Sequence, residues 1–411
     1  MGKWHLGGLT PRDIKKRQNL AGTSDCRPGP NQHGFDEYIS MMEGPESPRL
    51  KMLLPSKSLY SRGSKYLLRN DIPYASSDEV LTDRQTRETI RIMRETVSRG
   101  KNFFIQLAYD APHGPWEIIP GNWVQNYTKQ GLFKKKDRLF KYATMVSSLD
   151  HSIGALRRAV ASLEIANDTL IIFLSDNGPE VGAGTAGPYR GGKRSLLEGG
   201  IRVPAMFEWK GKIKSNNCFI DDFVISTDLL PTILDAAQIT KPDALKVDGV
   251  SILDKLLSRS HSSDSSCISS LKQKGDEHRS LYWYKDLDGC ASAVWANGYK
   301  LLMGCHGNTL VGVFNMTSKS IYDESYENQI PWKVIKDVNL YINVTENIAN
   351  LRSFIRSGNK PFMKARKELT RTENEDSGRD SIRNESSGCL SKKYLKSFDW
   401  TISGPSISPK F

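Results

Sequence analysis

Two adjacent oxygen-bearing side chains, Asp176 and Asn177, come one residue after an apolar run at 169–174. A carboxylate oxygen and an amide oxygen are ligands that hard cations such as Ca²⁺ and Mg²⁺ prefer. The same Asp-Asn-Gly order is also ordinary turn chemistry, so an Asx turn at the end of a strand is the alternative. The pair is therefore a candidate for binding a divalent cation.

Four further side chains could bind or protonate an oxyanion. Lys193 stands in a glycine-dense loop, His113 lies between a proline and a glycine, and Lys3 and His5 lie close together near residue 1. Lysine neutralises oxyanion charge in a transition state, and histidine can protonate a leaving alkoxide near neutral pH. Each of the four alone is equally compatible with an exposed loop side chain. Together with a cation they describe hydrolysis of a sulfate or phosphate ester, but no nucleophile accompanies them.

Helices and strands alternate around these residues. A helix is predicted from Thr82, which opens a T-x-x-Q capping box, to Gly100, and a second helix over 139–163. Apolar runs at 103–107 and 169–174 predict buried strands. This order and these continuous apolar strands predict an α/β sheet covered on both faces.

Ligands of such sheets bind at the carboxyl ends of the strands. Since His113 and the Asp176-Asn177 pair each follow a predicted strand, we expect them to be neighbours at one sheet edge. Farther on, 223–239 predicts a strand end followed by a helix. “SLYWYKD” and “SAVWANGYKLLMG” predict antiparallel strands of a smaller subdomain, and the tail beyond about 365 has the composition of a disordered segment.

The net charge of +12 favours a polyanionic partner, whether nucleic acid, acidic lipid or sulfated sugar. No nucleic-acid recognition motif accompanies the charge, so a nucleic-acid partner is not expected. No stretch approaches the roughly 20 apolar residues of a membrane span. Six cysteines include no C-x-x-C pair, which disfavours a zinc cluster. Five N-x-[ST] sequons indicate the secretory route, and they lie at Asn126, Asn167, Asn315, Asn343 and Asn384.

Several motifs carry a family resemblance. “GKWHLG” (2–7), “LSDNGP” (174–179) and “GGKRSLLEGGIRVP” (191–204) resemble the formylglycine-dependent (type I) sulfatases of the alkaline phosphatase superfamily. Within that family the chain is similar in character to arylsulfatase B and the N-acetylgalactosamine sulfatases. Three further motifs stand in family order with these: “HGFDEY” (33–38), “YDAPHGPW” (109–116) and “TDLLPTILDAA” (227–237).

The resemblance runs from residue 2 to about 250. It implies an alkaline-phosphatase-like α/β fold whose mostly parallel sheet is flanked by helices and lacks its first strand. From the resemblance together with the patterns farther along the chain, we expect three parts: a catalytic domain over 1–250, an antiparallel-sheet subdomain over 251–350, and a basic, disordered tail over 351–411.

The resemblance further implies roles for the candidate residues. Asp176 and Asn177 are implied to be ligands of Ca²⁺. The substrate is implied to be a sulfated small molecule or glycan.

Among the cationic candidates, Lys3 is implied to lie near the formylglycine and the sulfate, and His5 to orient the formylglycine hydroxyl. His113 and Lys193 are implied to contact sulfate oxygens, with His113 as the acid for the leaving group.

The chain departs from the family at two points. The C-x-P-S-R motif, whose Cys or Ser becomes the formylglycine nucleophile, is absent, and Cys26 is followed by Arg-Pro-Gly. The paired aspartates that complete the metal site are absent too, because the adjacent Asp221 and Asp222 precede a strand instead of following one. Both elements belong upstream of “GKWHLG” in the family. We therefore expect a sulfatase that lacks its beginning and is inactive as given, and a full-length parent in the lysosome or outside the cell.

Two other functions stay open. One is a non-catalytic sulfatase-like protein that binds sulfated polysaccharide through its basic surface. The other is a phosphodiesterase of the same superfamily, which would need several His and Asp ligands for two zinc ions, although only His5 and His113 stand in suitable contexts.

Overall fold

A computed structural model describes residues 1–4, 29–41, 67–70, 72–74, 79–131, 137–213, 223–258, 280–285, 291–296, 299–304 and 310–315. The described residues divide into two compact units. The first contains those within 1–136 together with 143–156, and the second contains 137–142 and those from 157 onward. The predicted boundaries of the three parts of the chain stay a prediction, and the tail over 351–411 lies outside the described residues.

A four-stranded sheet organises the first unit. Strand β1 (Gly2–Lys3) pairs in parallel with β2 (Ile39–Met41), and β3 (Leu67–Arg69) and β4 (Ile72–Pro73) continue the sheet in antiparallel pairing. On its other side β1 forms a parallel bridge between Gly2 and Ala108. The short β1 therefore has backbone partners on both edges.

Among the described residues, three helices accompany this sheet: α1 (Leu81–Ser98), α2 (Asn122–Lys129) and α3 (Arg138–Ser162). A 3₁₀ turn spans Pro30–His33. Buried residues of β2 and β3 pack with Leu81 at the start of α1, and a second cluster joins Ile119 to Met145 of α3. The first cluster contains Ile39, Met41, Leu67 and Leu81.

The second unit begins with β5 (Ile171–Leu174), which pairs antiparallel with β6 (Ala205–Glu208). The short helix α4 (Glu198–Ile201) lies between these strands in sequence. Beyond β6 follow α5 (Leu229–Ala236) and α6 (Leu253–Ser258), with 3₁₀ turns at Ala166–Asp168 and Ser226–Asp228.

One buried carboxylate connects α5 to the segment that precedes α6. Asp228, which is fully buried, accepts the backbone N–H of Ile225 at 3.0 Å through Oδ2 and that of Val250 at 2.9 Å through Oδ1. The hydroxyl of Thr232 accepts the N–H of Ile252 at 3.0 Å. The “TDLLPTILDAA” motif thus supplies the side chains that hold this loop.

A second four-stranded sheet follows, in the order β10-β9-β8-β7, and all its pairings are antiparallel. Its strands are β7 (Leu281–Lys285), β8 (Ala291–Ala296), β9 (Tyr299–Gly304) and β10 (Leu310–Asn315). The antiparallel strands predicted from “SLYWYKD” and “SAVWANGYKLLMG” are confirmed.

Two local predictions were wrong. Thr82 is buried inside α1 and makes no capping hydrogen bond, because the helix begins one residue earlier with Val80 as its N-cap. The buried strand predicted over 103–107 does not form: these residues have no strand pairing, Phe104 is 60% exposed, and the segment contributes a single bridge at Ala108. The strand predicted over 169–174 forms at Ile171–Leu174 but is partly exposed, with Leu174 38% exposed. Burial of a strand on both faces requires a packed layer on each, which an apolar run alone does not guarantee.

Candidate active site

Lys3 ends a strand whose backbone is held from two sides. Its N–H donates to the carbonyl of Ala108 at 2.9 Å, and the N–H of Trp4 donates to the carbonyl of Met41 at 2.8 Å. The side chain of Lys3 is half-buried and makes no hydrogen bond or ion pair with any part of the chain that the structure describes. The backbone is thus fixed while the ammonium remains available to an anion.

Gly2 explains why the motif begins with glycine. Its φ is +97°, which L side chains rarely adopt, and it is buried. A Cβ at this position would lie 2.6 Å from the carbonyl carbon of Ala108 and closer still to its oxygen. Only glycine allows the two strands to approach so closely, and this approach positions Lys3.

The “HGFDEY” motif packs against the residue that follows Lys3. The rings of Trp4 and His33 lie 5.3 Å apart, and Phe35 meets Trp4 edge-on at 6.4 Å. Phe35 in turn stacks on Phe104 at 6.2 Å. Two motifs about thirty residues apart in sequence are therefore in contact.

His113 lies in a loop that follows Ala108, the residue bridged to Gly2 of β1. Its N–H donates to the carbonyl of Asp110 at 3.0 Å, and its Nδ1 lies 2.7 Å from the carbonyl oxygen of Gly114. Because a carbonyl oxygen only accepts, Nδ1 carries the proton in this bond. The hydrogen bond thus places the proton of the neutral imidazole on Nδ1.

Tyr109 anchors this loop to α1. Its hydroxyl lies 2.6 Å from that of Thr86, and burial raises the pKa of Tyr109 to about 12. At the far end of the loop, the indole of Trp116 donates to the carbonyl of Pro112 at 3.2 Å. The segments of Lys3 and His113 are thus joined within the first unit, through β1 and residue 108.

Asp176 and Asn177 follow β5 in the second unit, as predicted. The Asp176 side chain is exposed and has no hydrogen bond or ion pair within the described ranges. The amide nitrogen of Asn177 donates to the carbonyl of Gly178 at 2.9 Å, and Oδ1 accepts nothing from the described residues. The two consecutive residues therefore each carry a side-chain oxygen suited to a hard cation.

The backbone connects the Lys193 loop to this strand end. Lys193 donates its N–H to the carbonyl of Pro179 at 2.8 Å, and Gly178 donates to Gly200 at 2.9 Å. A Cβ on Gly178 would lie 2.8 Å from Cα of Gly200. The structure therefore brings Lys193 and the Asp176-Asn177 segment together within one unit.

A buried ion pair beneath the loop was not predicted from the sequence. Nζ of Lys300 in β9 lies 2.7 Å from Oε1 of Glu198 in α4, and both side chains are at most 4% exposed. Lys285 of β7 donates to the carbonyl of Arg194 at 2.8 Å. In the sequence, Glu198 stands out only as an acidic residue within a glycine-rich segment. No residue near it in sequence indicates that its partner is Lys300.

Some predicted residues cannot be located. His5, Cys26, Asp221 and Asp222 lie outside the described residues. Among the residues that are described, no group of three or more His, Cys, Asp or Glu side chains is arranged to hold a metal ion. None of the described helices is long and apolar enough to cross a membrane.

A cavity of about 690 Å³ in the first unit contains none of the predicted site residues. Two of its three arginines are in ion pairs, Arg87 with Glu79 and Glu88, and Arg91 with Glu37, Glu88 and Glu95. The cavity lies between α1 and α3 and is lined by Asp83, Thr86, Arg87, Ile90, Arg91, Arg94, Glu95, His151, Ser152 and Ala155.

Comparison with known sequences identifies a family. Residues 1–239 match the sequence model of the family described as Sulfatase. The chain is 26% identical over 292 residues to the uncharacterized sulfatase YdeN of Escherichia coli K12, covering 69% of this chain and 46% of YdeN. It is 28% identical over 268 residues to human N-acetylgalactosamine-6-sulfatase, covering 62% and 45%. The chain thus spans less than half the length of these curated relatives.

Solved structures agree on the fold. Ps i-CgsB in complex with a neocarrahexaose superposes with a TM-score of 0.65 at 22% identity, covering 85% of this chain and 70% of that one. BT4656 in complex with its substrate D-glucosamine-2-N,6-O-disulfate superposes with a TM-score of 0.54 at 14% identity, covering 86% and 84%. The predicted alkaline-phosphatase-like α/β fold is confirmed.

Proposed function

The chain belongs to the sulfatase family, and from this premise we propose that it contributes the substrate-binding and metal-binding part of an enzyme that hydrolyses sulfate esters of sugars or aryl alcohols. One observation carries the proposal: backbone hydrogen bonds join the Lys193 loop to the segment that follows Asp176 and Asn177. The lysine proposed to bind the anion and the two residues proposed to bind the metal ion are therefore held by the same backbone. A relative is named for a sulfated sugar and a structural neighbour holds one, which supports a sulfated glycan as the substrate class.

Lys3 and Lys193 are proposed to balance the negative charge of the ester. A sulfate ester gains charge on its bridging and terminal oxygens as the bond to the leaving group breaks, and a preorganised cation stabilises that charge. Lys3 is a half-buried residue, and water screens a charge less there than at a fully exposed site, which strengthens such an interaction.

His113 is proposed to protonate the leaving alkoxide. The hydrogen bond from Nδ1 to Gly114 fixes the tautomer and leaves Nε2 as the atom that carries the transferable proton. A histidine pKa near neutrality makes this transfer efficient. His113→Gln should therefore lower turnover most for substrates whose leaving alkoxide most needs a proton.

Asp176 and Asn177 are proposed to bind Ca²⁺. The fit is partial: one carboxylate and one amide oxygen are available, whereas Ca²⁺ takes about six to eight oxygen ligands. When bound, the ion would supply positive charge next to the ester oxygens. His5 is proposed to orient the nucleophile, as the family resemblance implies.

The nucleophile is proposed to be a formylglycine outside residues 1–411. None of the six cysteines lies in a C-x-P-S-R motif, so these residues alone offer no site for its formation. We therefore expect no turnover from the 411 residues by themselves.

A secretory route is proposed for the complete protein. The sequon residues Asn126 and Asn167 are both exposed, as glycosylation requires. Expression through the secretory pathway should give a protein whose mass falls on treatment with an N-glycosidase. An unchanged mass would contradict this route.

The test measures hydrolysis of 4-nitrocatechol sulfate. It compares the 411 residues alone with the same residues preceded by a segment that carries C-x-P-S-R, made in cells that form formylglycine. Turnover is expected only from the extended protein, and Lys3→Met or Lys193→Met should reduce it by at least about 100-fold, as loss of one oxyanion partner does. Turnover by the 411 residues alone would refute the external nucleophile.

A second candidate, a non-catalytic protein that binds sulfated polysaccharide, is favoured by the net charge of +12. Retention on immobilised heparin together with no turnover from the extended protein would select it over the enzyme.

A further inference from the structure

The loop that carries Lys193 contains a buried acid. Glu198, five residues after Lys193, is 3% exposed and begins the short helix α4. A buried carboxylate is costly unless a cation and hydrogen bonds compensate it. Its partners are Lys300 at 2.7 Å and, more distantly, Arg202 at 3.7 Å. Lys300 comes from β9, more than 100 residues away in sequence, so this pair joins the loop to the antiparallel sheet.

The same sheet holds the loop at a second point. Lys285 in β7 donates to the carbonyl of Arg194 at 2.8 Å, immediately after Lys193. β7 and β9 both pair with β8, so Lys285 and Lys300 belong to one sheet. Two lysines of one sheet therefore contact the loop, one at Arg194 and the other at Glu198.

The loop conformation itself needs support. Arg194 has a φ of +73°, in the left-handed region that non-glycine residues seldom occupy. Such a residue persists only when its surroundings over-determine its conformation. The loop also closes on itself, since Gly199 donates to the carbonyl of Arg190 at 2.8 Å. The bond from Lys285 falls on the strained residue directly.

From this geometry we propose that Lys285 and the Glu198–Lys300 pair are positioning residues that hold the Lys193 ammonium in its sulfate-binding orientation. This inference rests on the proposed function of Lys193. None of the three positioning side chains touches the substrate. They act through the loop backbone, and the antiparallel sheet thereby becomes part of the anion site.

The test uses the 411-residue chain and sodium sulfate as the probe. The variants are Lys193→Met, Lys285→Met and Lys300→Met, with Lys210→Met as the matched control, because Lys210 is an exposed lysine of the same unit with no partner among the described residues. Two quantities are measured: the dissociation constant for sulfate by calorimetry, and the rate of trypsin cleavage after residues 193 and 194.

We expect Lys285→Met and Lys300→Met each to weaken sulfate binding about tenfold, the effect of one charge-assisted hydrogen bond. Both should accelerate cleavage at the loop, and Lys210→Met should change neither quantity. In the Lys193→Met background Lys300→Met should cause no additional loss of sulfate affinity, which a merely structural role would not predict. Lys300→Arg should restore both values.

The outcomes separate the two proposals. If Lys193→Met binds sulfate as tightly as the unchanged chain, the proposed role of Lys193 fails. If Lys193→Met weakens binding while Lys285→Met alters neither affinity nor cleavage, the positioning role is overturned and the proposed function stands. Should Lys300→Met fail to fold, Lys285→Met still decides, because it removes a bond to a backbone carbonyl and leaves the buried pair intact.

Discussion

Replacing Gly2 with alanine should disturb the site more than any change to the exposed side chains around it. The added Cβ would lie 2.6 Å from the carbonyl carbon of Ala108, about 1 Å inside ordinary carbon–carbon contact. The obstacle is backbone of a paired strand, so no side-chain rotation relieves it. Overpacking of this kind costs about 1–3 kcal/mol, and the positive φ adds about 1–2 kcal/mol.

Gly34 provides the matched control. Its φ of +89° resembles that of Gly2, but a Cβ there would meet nothing within 4 Å. Gly34→Ala therefore carries the conformational cost of about 1–2 kcal/mol without the steric one. The difference in the free energy of unfolding between the two variants therefore measures the steric cost of the close approach of β1 to residue 108.

The assay is urea unfolding followed by tryptophan emission, with sulfate affinity measured on the folded variants. Gly2→Ala should lose about 1–3 kcal/mol more than Gly34→Ala, and it should also bind sulfate more weakly because Lys3 follows it directly. Equal losses from the two variants would refute the steric explanation. A destabilised Gly2→Ala with unchanged sulfate affinity would refute the link between strand spacing and Lys3.

Three further substitutions test the framework. Asp228→Asn should lower the free energy of unfolding by about 2 kcal/mol, because one of the two oxygens that accept backbone N–H groups becomes a donor. The control Asp235→Asn, at an exposed position, should leave the urea midpoint unchanged. Equal effects of the two substitutions would contradict this explanation. Because the pKa of Tyr109 is raised to about 12, folding stability is lost as pH rises from about 10 to about 12. In Tyr109→Phe, Tm should decrease less over this pH range than in the unchanged chain. Parallel curves of Tm against pH would contradict this. Arg157→Ala should lower the free energy of unfolding by less than about 1 kcal/mol, and by less still in high salt, since its ion pair with Glu208 is exposed. A larger loss that does not depend on salt would contradict this.

Periodicity was the most reliable signal in the sequence. The helix predicted over 139–163 occurs at Arg138–Ser162, because apolar residues recur at three- and four-residue steps over seven turns. The strand ahead of Asp176 and Asn177 was also predicted correctly to end at Leu174. These elements depend on local patterns, which is why the sequence alone could place them.

Features that depend on distant partners were missed. Thr82 has the spacing of a capping residue, but helix α1 begins one residue earlier and buries it. The exposure of Leu174 depends on which layers cover β5, and that information is not local. Likewise, Glu198 is an ordinary acidic residue in the sequence, and only the fold places Lys300 beside it.

The contact between Glu198 and Lys300 also limits how such chains can be recombined. The two residues stand 102 positions apart in the sequence. In a chimera whose junction lies between them, Glu198 would come from one parent and the residue at position 300 from the other, so the buried acid could lose its lysine. An unmatched charge at that depth costs about 3–5 kcal/mol, a large share of a typical domain's stability. Gene shuffling among sulfatases should therefore yield few folded chimeras with junctions inside this interval, and the antiparallel sheet should be inherited together with the glycine-rich loop.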